Sequence, residues 1–80
     1  MNPEIRTSVI RLIGELKDFP EFDGSVPLIE SGLLDSFDLM RLVAAISERY
    51  GVDLDGDELV PENFENVDAL VDLIVQKANR

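Results

Sequence analysis

Cysteine and histidine are both absent from the 80 residues of this chain. Without cysteine there are no disulfides and no thiolate metal sites, so a cross-linked secreted mini-protein is excluded. Without histidine, the usual general base for a serine nucleophile is missing as well. Bases are scarce: seven Lys and Arg stand against 17 Asp and Glu, a formal net charge of −10. Affinity for nucleic acid comes mainly from Lys and Arg displacing counterions, so no nucleic-acid partner is expected. Between Gly51 and Asp72 there is no base at all, while Asp53, Asp55, Asp57, Glu58, Glu62, Glu65, Asp68 and Asp72 are all acidic. Such a field steers basic protein surfaces toward the chain and favours a monomer; it serves equally well as a solubility coat. Long apolar runs are missing too. The N-terminal "MNPEIRTSVIRLIGEL" interrupts each apolar run with a polar or charged residue, unlike a signal peptide, and no stretch reaches membrane-spanning length. The expectation is a cytoplasmic protein with no membrane insertion.

Turning to what is there, the length allows one domain, residues 1–80, with a modest core that removes roughly 60–65% of the unfolded surface from water. No large active-site cleft fits inside such a core. Hydrophobic content of 45% is ordinary for a globular protein, and a folded chain is expected.

Three amphipathic helices can be read. The first has Asn2 as cap and Pro3 at its first position. Ile5, Val9, Leu12, Ile13 and Leu16 form one stripe, and the helix should end near Lys17 or Asp18. The second runs from about Ser36 to Tyr50, with Leu39, Val43, Ile46 and Tyr50 on one face, Met40 and Leu42 flanking, and Gly51 as a left-handed stop. The third starts near Asn66 or Val67 and carries Val67, Leu70, Val71, Ile74 and Ala78, with Lys77 and Arg80 at the cation-favouring end. Before it, "VPENF" suits a short helical turn with Phe64 as anchor. No segment alternates with period two, so the expected fold is all-α: a small four-helix bundle of three long helices and one short one.

A long loop joins the first two helices. Its 17 residues, Phe19 to Asp35, include two Pro and two Gly, and connections this long in compact domains tend to be functional. Phe19, Phe22, Val26, Leu28, Ile29, Leu33 and Leu34 should pin it over the open end of the bundle.

Candidate chemistry is sparse. Only two lysines exist, Lys17 and Lys77, and neither sits in a Ser–Lys motif, so no catalytic residue is assigned. The acidic "DLDGDE" resembles a calcium loop, but counting from Asp53 the Gly falls fourth rather than sixth and the twelfth residue is Phe64 rather than Glu. It reads as an acidic turn, with loose surface binding of divalent ions at most, and no metal site is assigned. Ser36, in "GLLDSFDLM", stands where the loop gives way to a helix. An anion attached there would meet unpaired N–H groups and the positive end of the helix dipole. Asp35 is a good cap, Phe37 and Leu34 can bury on either side, and the hydroxyl would point outward. From the local pattern alone, Asp-Ser at this place reads first as capping, with a modification handle as the second reading.

The chain resembles the acyl carrier protein family, which includes peptidyl, aryl and D-alanyl carriers. The resemblance runs from the first helix through "GLLDSFDLMRLVAAISERYGV" to "PENFENVDALVDLIV". Its signature is Asp-Ser followed by an apolar residue at the start of the second helix, held here by Asp35, Ser36 and Phe37. The resemblance implies that Ser36 receives 4′-phosphopantetheine from coenzyme A through a separate phosphopantetheinyl transferase. The arm's thiol would then carry an acyl or aminoacyl thioester between loading and downstream synthase enzymes, of fatty-acid, polyketide or nonribosomal-peptide type. That would let a chain with no sulfur nucleophile of its own take part in thioester chemistry. By the same likeness, Asp35, Phe37, Asp38, Met40, Arg41 and Glu48 are candidate partner contacts.

"LLDSF" is similar to D-alanyl carriers, where fatty-acid carriers usually have Leu after the serine, and Arg41 and Arg49 give the second helix mixed charge. An aminoacyl cargo loaded by an adenylating enzyme therefore stands beside a fatty or polyketide one. The ends lie close to helices, so a free-standing protein is expected rather than a segment of a megasynthase. From a different class, an unmodified acidic adaptor docking a basic partner remains a distinct reading.

Overall fold

The computed structural model describes residues 3–78. Three α-helices, α1 (Pro3–Leu16), α2 (Ser36–Tyr50) and α3 (Val67–Ala78), account for its regular structure together with two short 3-10 turns. The described residues contain no strand. The short helical element expected at "VPENF" takes the form of one 3-10 turn, Pro61–Phe64, rather than a fourth α-helix. A second such turn, Gly56–Glu58, lies in the acidic stretch.

In α1 the apolar stripe turns inward as its spacing requires, with Val9 and Ile13 fully buried. The Asn2 cap and Arg80 lie outside the described residues. The helix ends at Leu16, and the chain reverses through Asp18, which has a left-handed φ of 52°. The Phe19 N–H then bonds the Gly14 carbonyl at 2.8 Å. A side chain at Gly14 would place its Cβ 3.1 Å from the Phe19 carbonyl oxygen, so the small residue lets the reversal close.

α2 is bounded at both ends by its own chemistry. Asp35 caps it and Gly51, with φ 67°, stops it, its N–H bonding the Ser47 carbonyl at 2.9 Å. Its buried row is Asp38, Leu42 and Ile46, one residue per turn. This corrects the expected orientation: Leu42 is central rather than flanking, and Leu39, Val43 and Tyr50 are only partly buried. Leu42 and Ile46 of that row belong to the core, so the helix presents its i, i+4 line inward. Two further expectations are corrected. Phe37 does not bury beside Leu34 but is 70% exposed, and Ala78 is exposed while Leu73 is buried in its place on α3.

The core gathers side chains from every segment, including Phe22, Leu28 and Leu34 of the connection between α1 and α2. That connection is pinned, as its apolar content requires. The Leu28 N–H bonds the Glu65 carbonyl at 2.9 Å, tying the connection to the foot of α3, and the Leu34 N–H returns to the Leu28 carbonyl at 2.9 Å. α3 starts where Asn66 Oδ1 accepts the Ala69 N–H at 2.8 Å. Near its end, Lys77 reaches Glu58 at 3.0 Å and Asp55 at 3.8 Å, which fastens the acidic stretch down.

Asp38 is the one buried charged residue among those described, 5% exposed. Its carboxylate accepts from Lys17 Nζ at 2.6 Å and from the Asp35 N–H at 3.2 Å, while its own N–H donates to Asp35 Oδ1 at 2.8 Å. This reciprocal pair is a capping box. The Lys17 hydrogen bond, and then the Asp35 N–H, hold the Asp38 carboxyl below its ordinary value of 3.8.

Truncating Leu42 to Ala should cost about 2–5 kcal/mol in urea unfolding, whereas Phe37→Ala should change stability by less than about 0.5 kcal/mol. Equal losses for the two would contradict this burial pattern. Because the folded-state pKa of Asp38 is depressed, its stabilisation is complete above the ordinary value of 3.8 and drains as pH falls through the lower folded value. Unfolding free energy measured from pH 7 to 2 should therefore fall more steeply in the native chain than in Asp38→Asn; parallel profiles would refute the assignment.

Candidate functional site

Ser36 is the first residue of α2 and is exposed. The capping duty that a serine in this place could have taken belongs to Asp35, whose backbone is extended at φ −98°, ψ −175° and whose side chain accepts the Asp38 N–H. The Ser36 hydroxyl thus stands outside the capping box, at the positive end of the α2 dipole, where a covalently attached phosphate is electrostatically favoured.

Beside Ser36 lies a groove of about 270 Å³. One wall is α2, through Leu39, Met40 and Val43, and the other is Leu59, Val60, Pro61 and Phe64 from the segment preceding α3, with Ile29 of the connection closing one side. Its lining is almost wholly apolar. A hydroxyl at the lip of an apolar groove suits a flexible arm that leaves the protein through a phosphate and brings an apolar cargo back to the surface. The residues present fit 4′-phosphopantetheine on these two counts.

The residues expected to meet partners are not all brought together. Asp35, Phe37, Met40 and Arg41 are exposed around Ser36, with Met40 at 63%. The Arg41 guanidinium lies 5.9 Å from the Phe37 ring centroid, a cation–π distance. The same guanidinium is 3.8 Å from Asp38 Oδ1, so it also adds positive charge behind the first turn. Asp38 is withdrawn from the surface into the capping box and offers no direct contact. Glu48 is remote: it sits about 18 Å further along the helix axis and lines a separate depression with Leu12, Ala45 and Arg49.

Three contributors were not assigned to the site from the sequence. Lys17 follows α1 without any motif around it, yet its ammonium is the partner of Asp38. The only local hint was a lone lysine at the end of α1, for a chain that places an aspartate three residues into α2's cap. Ile29, read in the sequence only as a residue that pins the connection, and the Leu59–Pro61 segment, read only in part as a short turn, reach the groove through tertiary packing. The acidic run that resembles a calcium loop forms the Gly56–Glu58 turn, with the Glu58 carboxylate accepting the Asp55 N–H at 2.9 Å. Among the described residues no cluster of three or more acids converges as a metal site would need. No described helix is long and apolar enough to cross a membrane.

No individual curated protein matches the chain. The family described as "Phosphopantetheine attachment site" matches residues 4–74, which includes all of α2 and the groove. A match over that much of the sequence, on a helical fold with an exposed serine at the mouth of an apolar groove, shows that the chain belongs to the phosphopantetheine-binding family of carrier proteins, whose cofactor is covalent 4′-phosphopantetheine.

Proposed function

We propose that Ser36 is the attachment residue and that the chain is a single, monomeric, cytoplasmic carrier domain that catalyses no reaction itself. The observation that carries this reading is the division of labour at the start of α2: Asp35 caps the helix, and the neighbouring hydroxyl is left exposed at its positive end. When attached, the arm supplies the thiol on which an acyl group is held. The chain's own residues present, orient and shelter. Ser36 Oγ offers the hydroxyl to a phosphopantetheinyl transferase, and the α2 dipole stabilises the phosphodiester charge that results. Leu39, Val43 and Phe64 offer an apolar wall to whatever the arm brings back. Asp35, Phe37, Met40 and Arg41, exposed around the attachment point, form the face that the transferase and the loading and downstream synthase enzymes read. Phe37 and Met40 give that face an apolar centre, and Arg41 and Arg49 mix the charge of α2, so partners that rely on a purely acidic helix should bind it weakly.

For the cargo, the apolar groove favours an acyl group with a hydrocarbon body of fatty or polyketide type. A second reading, an aminoacyl group supplied by an adenylating enzyme as in D-alanyl carriers, is supported by Phe37 after the serine and by Arg41 beside it.

Incubation with coenzyme A and a transferase should raise the mass by one phosphopantetheine unit, and Ser36→Ala should gain nothing. An equal gain in the Ala variant would falsify Ser36 as the site, and full biological activity of that variant would favour an unmodified adaptor. Carrying a hydrocarbon acyl chain, the loaded protein should melt above the bare holo form, because burial in the groove stabilises the folded state alone. A small polar aminoacyl group should leave the melting temperature nearly unchanged, so comparing the loaded forms separates the two cargo readings.

A further inference from the structure

One ion pair in the molecule joins the end of α1 directly to the turn that bears Ser36. Lys17 lies just beyond Leu16, its N–H bonded to the Ile13 carbonyl at 3.0 Å, so its backbone moves with α1. Its side chain crosses to α2 and ends 2.6 Å from Asp38 Oδ2. That same oxygen accepts the Asp35 N–H at 3.2 Å, and Asp35 returns the contact by accepting the Asp38 N–H at 2.8 Å. Ser36 stands inside the small ring these two bonds close.

A carboxylate so little exposed is costly to keep out of water without a full counter-charge. Arg41 does not supply one, since its nearest nitrogen is 3.8 Å away and its side chain is 49% exposed. Without the Lys17 ammonium, Asp38 gains by rotating toward solvent. Rotation breaks the Asp35 N–H bond, half of the capping box, and loosens the backbone on both sides of Ser36.

We infer that Lys17 is a positioning residue for modification of Ser36, acting through Asp38 to hold the hydroxyl in the orientation that the transferase requires. The inference rests on the reading of Ser36 as the attachment residue. In the step concerned, a bond forms between Ser36 Oγ and the phosphorus of coenzyme A that bears the pantetheine. The bond from that phosphorus to the oxygen bridging the two phosphates breaks, adenosine 3′,5′-bisphosphate leaves, and the hydroxyl proton passes to a base on the transferase. In-line attack of this kind depends on the angle at which Oγ is offered, so a loosened turn slows the step even where binding is unchanged.

The test is a cycle of variants loaded with coenzyme A by one transferase, below the melting temperature of each. Lys17→Met keeps the aliphatic stem and removes the charge. It should lower kcat about tenfold while leaving KM for coenzyme A within about twofold. Lys17→Arg should restore most of the rate. In an Asp38→Asn background the side chain can still accept the Asp35 N–H but carries no charge to neutralise, so there the same Lys17→Met change should cost less than about twofold.

A merely structural role for Lys17 predicts a lower melting temperature with kcat intact, and this outcome overturns the inference. A direct contact between Lys17 and the transferase predicts the same penalty in both backgrounds, and that also overturns it. If the wild-type chain itself gains no arm, the fault lies with Ser36 as the attachment residue rather than with Lys17.

Discussion

A carboxylate taken out of water at the start of a helix has to be matched on every side, and Asp38 is matched by an ammonium, a backbone N–H and, more distantly, a guanidinium. The match links three parts of the chain: the end of α1, the last residue of the long connection and the first turn of α2. It also settles a competition. In the first turn of a helix both Asp and Ser can serve as the cap, and the reciprocal Asp35–Asp38 pair takes that duty. The hydroxyl of the serine between them is thereby left out of the capping pair. A rigid turn that leaves one hydroxyl outside its own network is what a modification site on a carrier requires.

The rest of the fold shows how so short a chain affords that rigidity. A domain of this size has little interior to spend, and three helices alone would leave one end open. The connection between α1 and α2 closes it with Phe22, Leu28 and Leu34, which are as buried as many helical core residues. The stretch before α3 contributes Phe64 in the same way. What looks like loop by secondary structure is core by packing. The surface left between these segments and α2 is the groove at the Ser36 end, so the groove is a by-product of how the bundle is closed.

Much of this was legible in the sequence for identifiable reasons. The limits of α2 could be read to the residue because Asp35 and Gly51 act through local chemistry, a side-chain cap and a left-handed stop. The apolar content of residues 19–35 announced that the segment would be pinned, and the Asp-Ser-Phe signature carried the family. The rotation of α2 was less accessible. Leu39, Val43, Ile46 and Tyr50 form a plausible face, but the buried line is Asp38, Leu42, Ile46, and one of its members is an acid that hydropathy assigns to the surface. Its burial depends on Lys17, 21 residues away, and no periodicity reports a contact of that range. The exposure of Phe37 was missed for the opposite reason: an aromatic ring counts as apolar in any pattern, whereas here it lies under the Arg41 guanidinium on the outside.

The bond from the Leu28 N–H to the Glu65 carbonyl has a consequence for what the groove can hold. Ile29 follows Leu28 and Phe64 precedes Glu65, so two lining residues flank the two ends of a single main-chain tie. Their separation is governed by a backbone N–H and a carbonyl, which every substitution except proline at Leu28 leaves in place. Exchanging side chains along this cleft would alter its depth and texture while the spacing of Ile29 and Phe64 stayed constant, so a different cargo is suited by re-lining that side rather than by moving the chain.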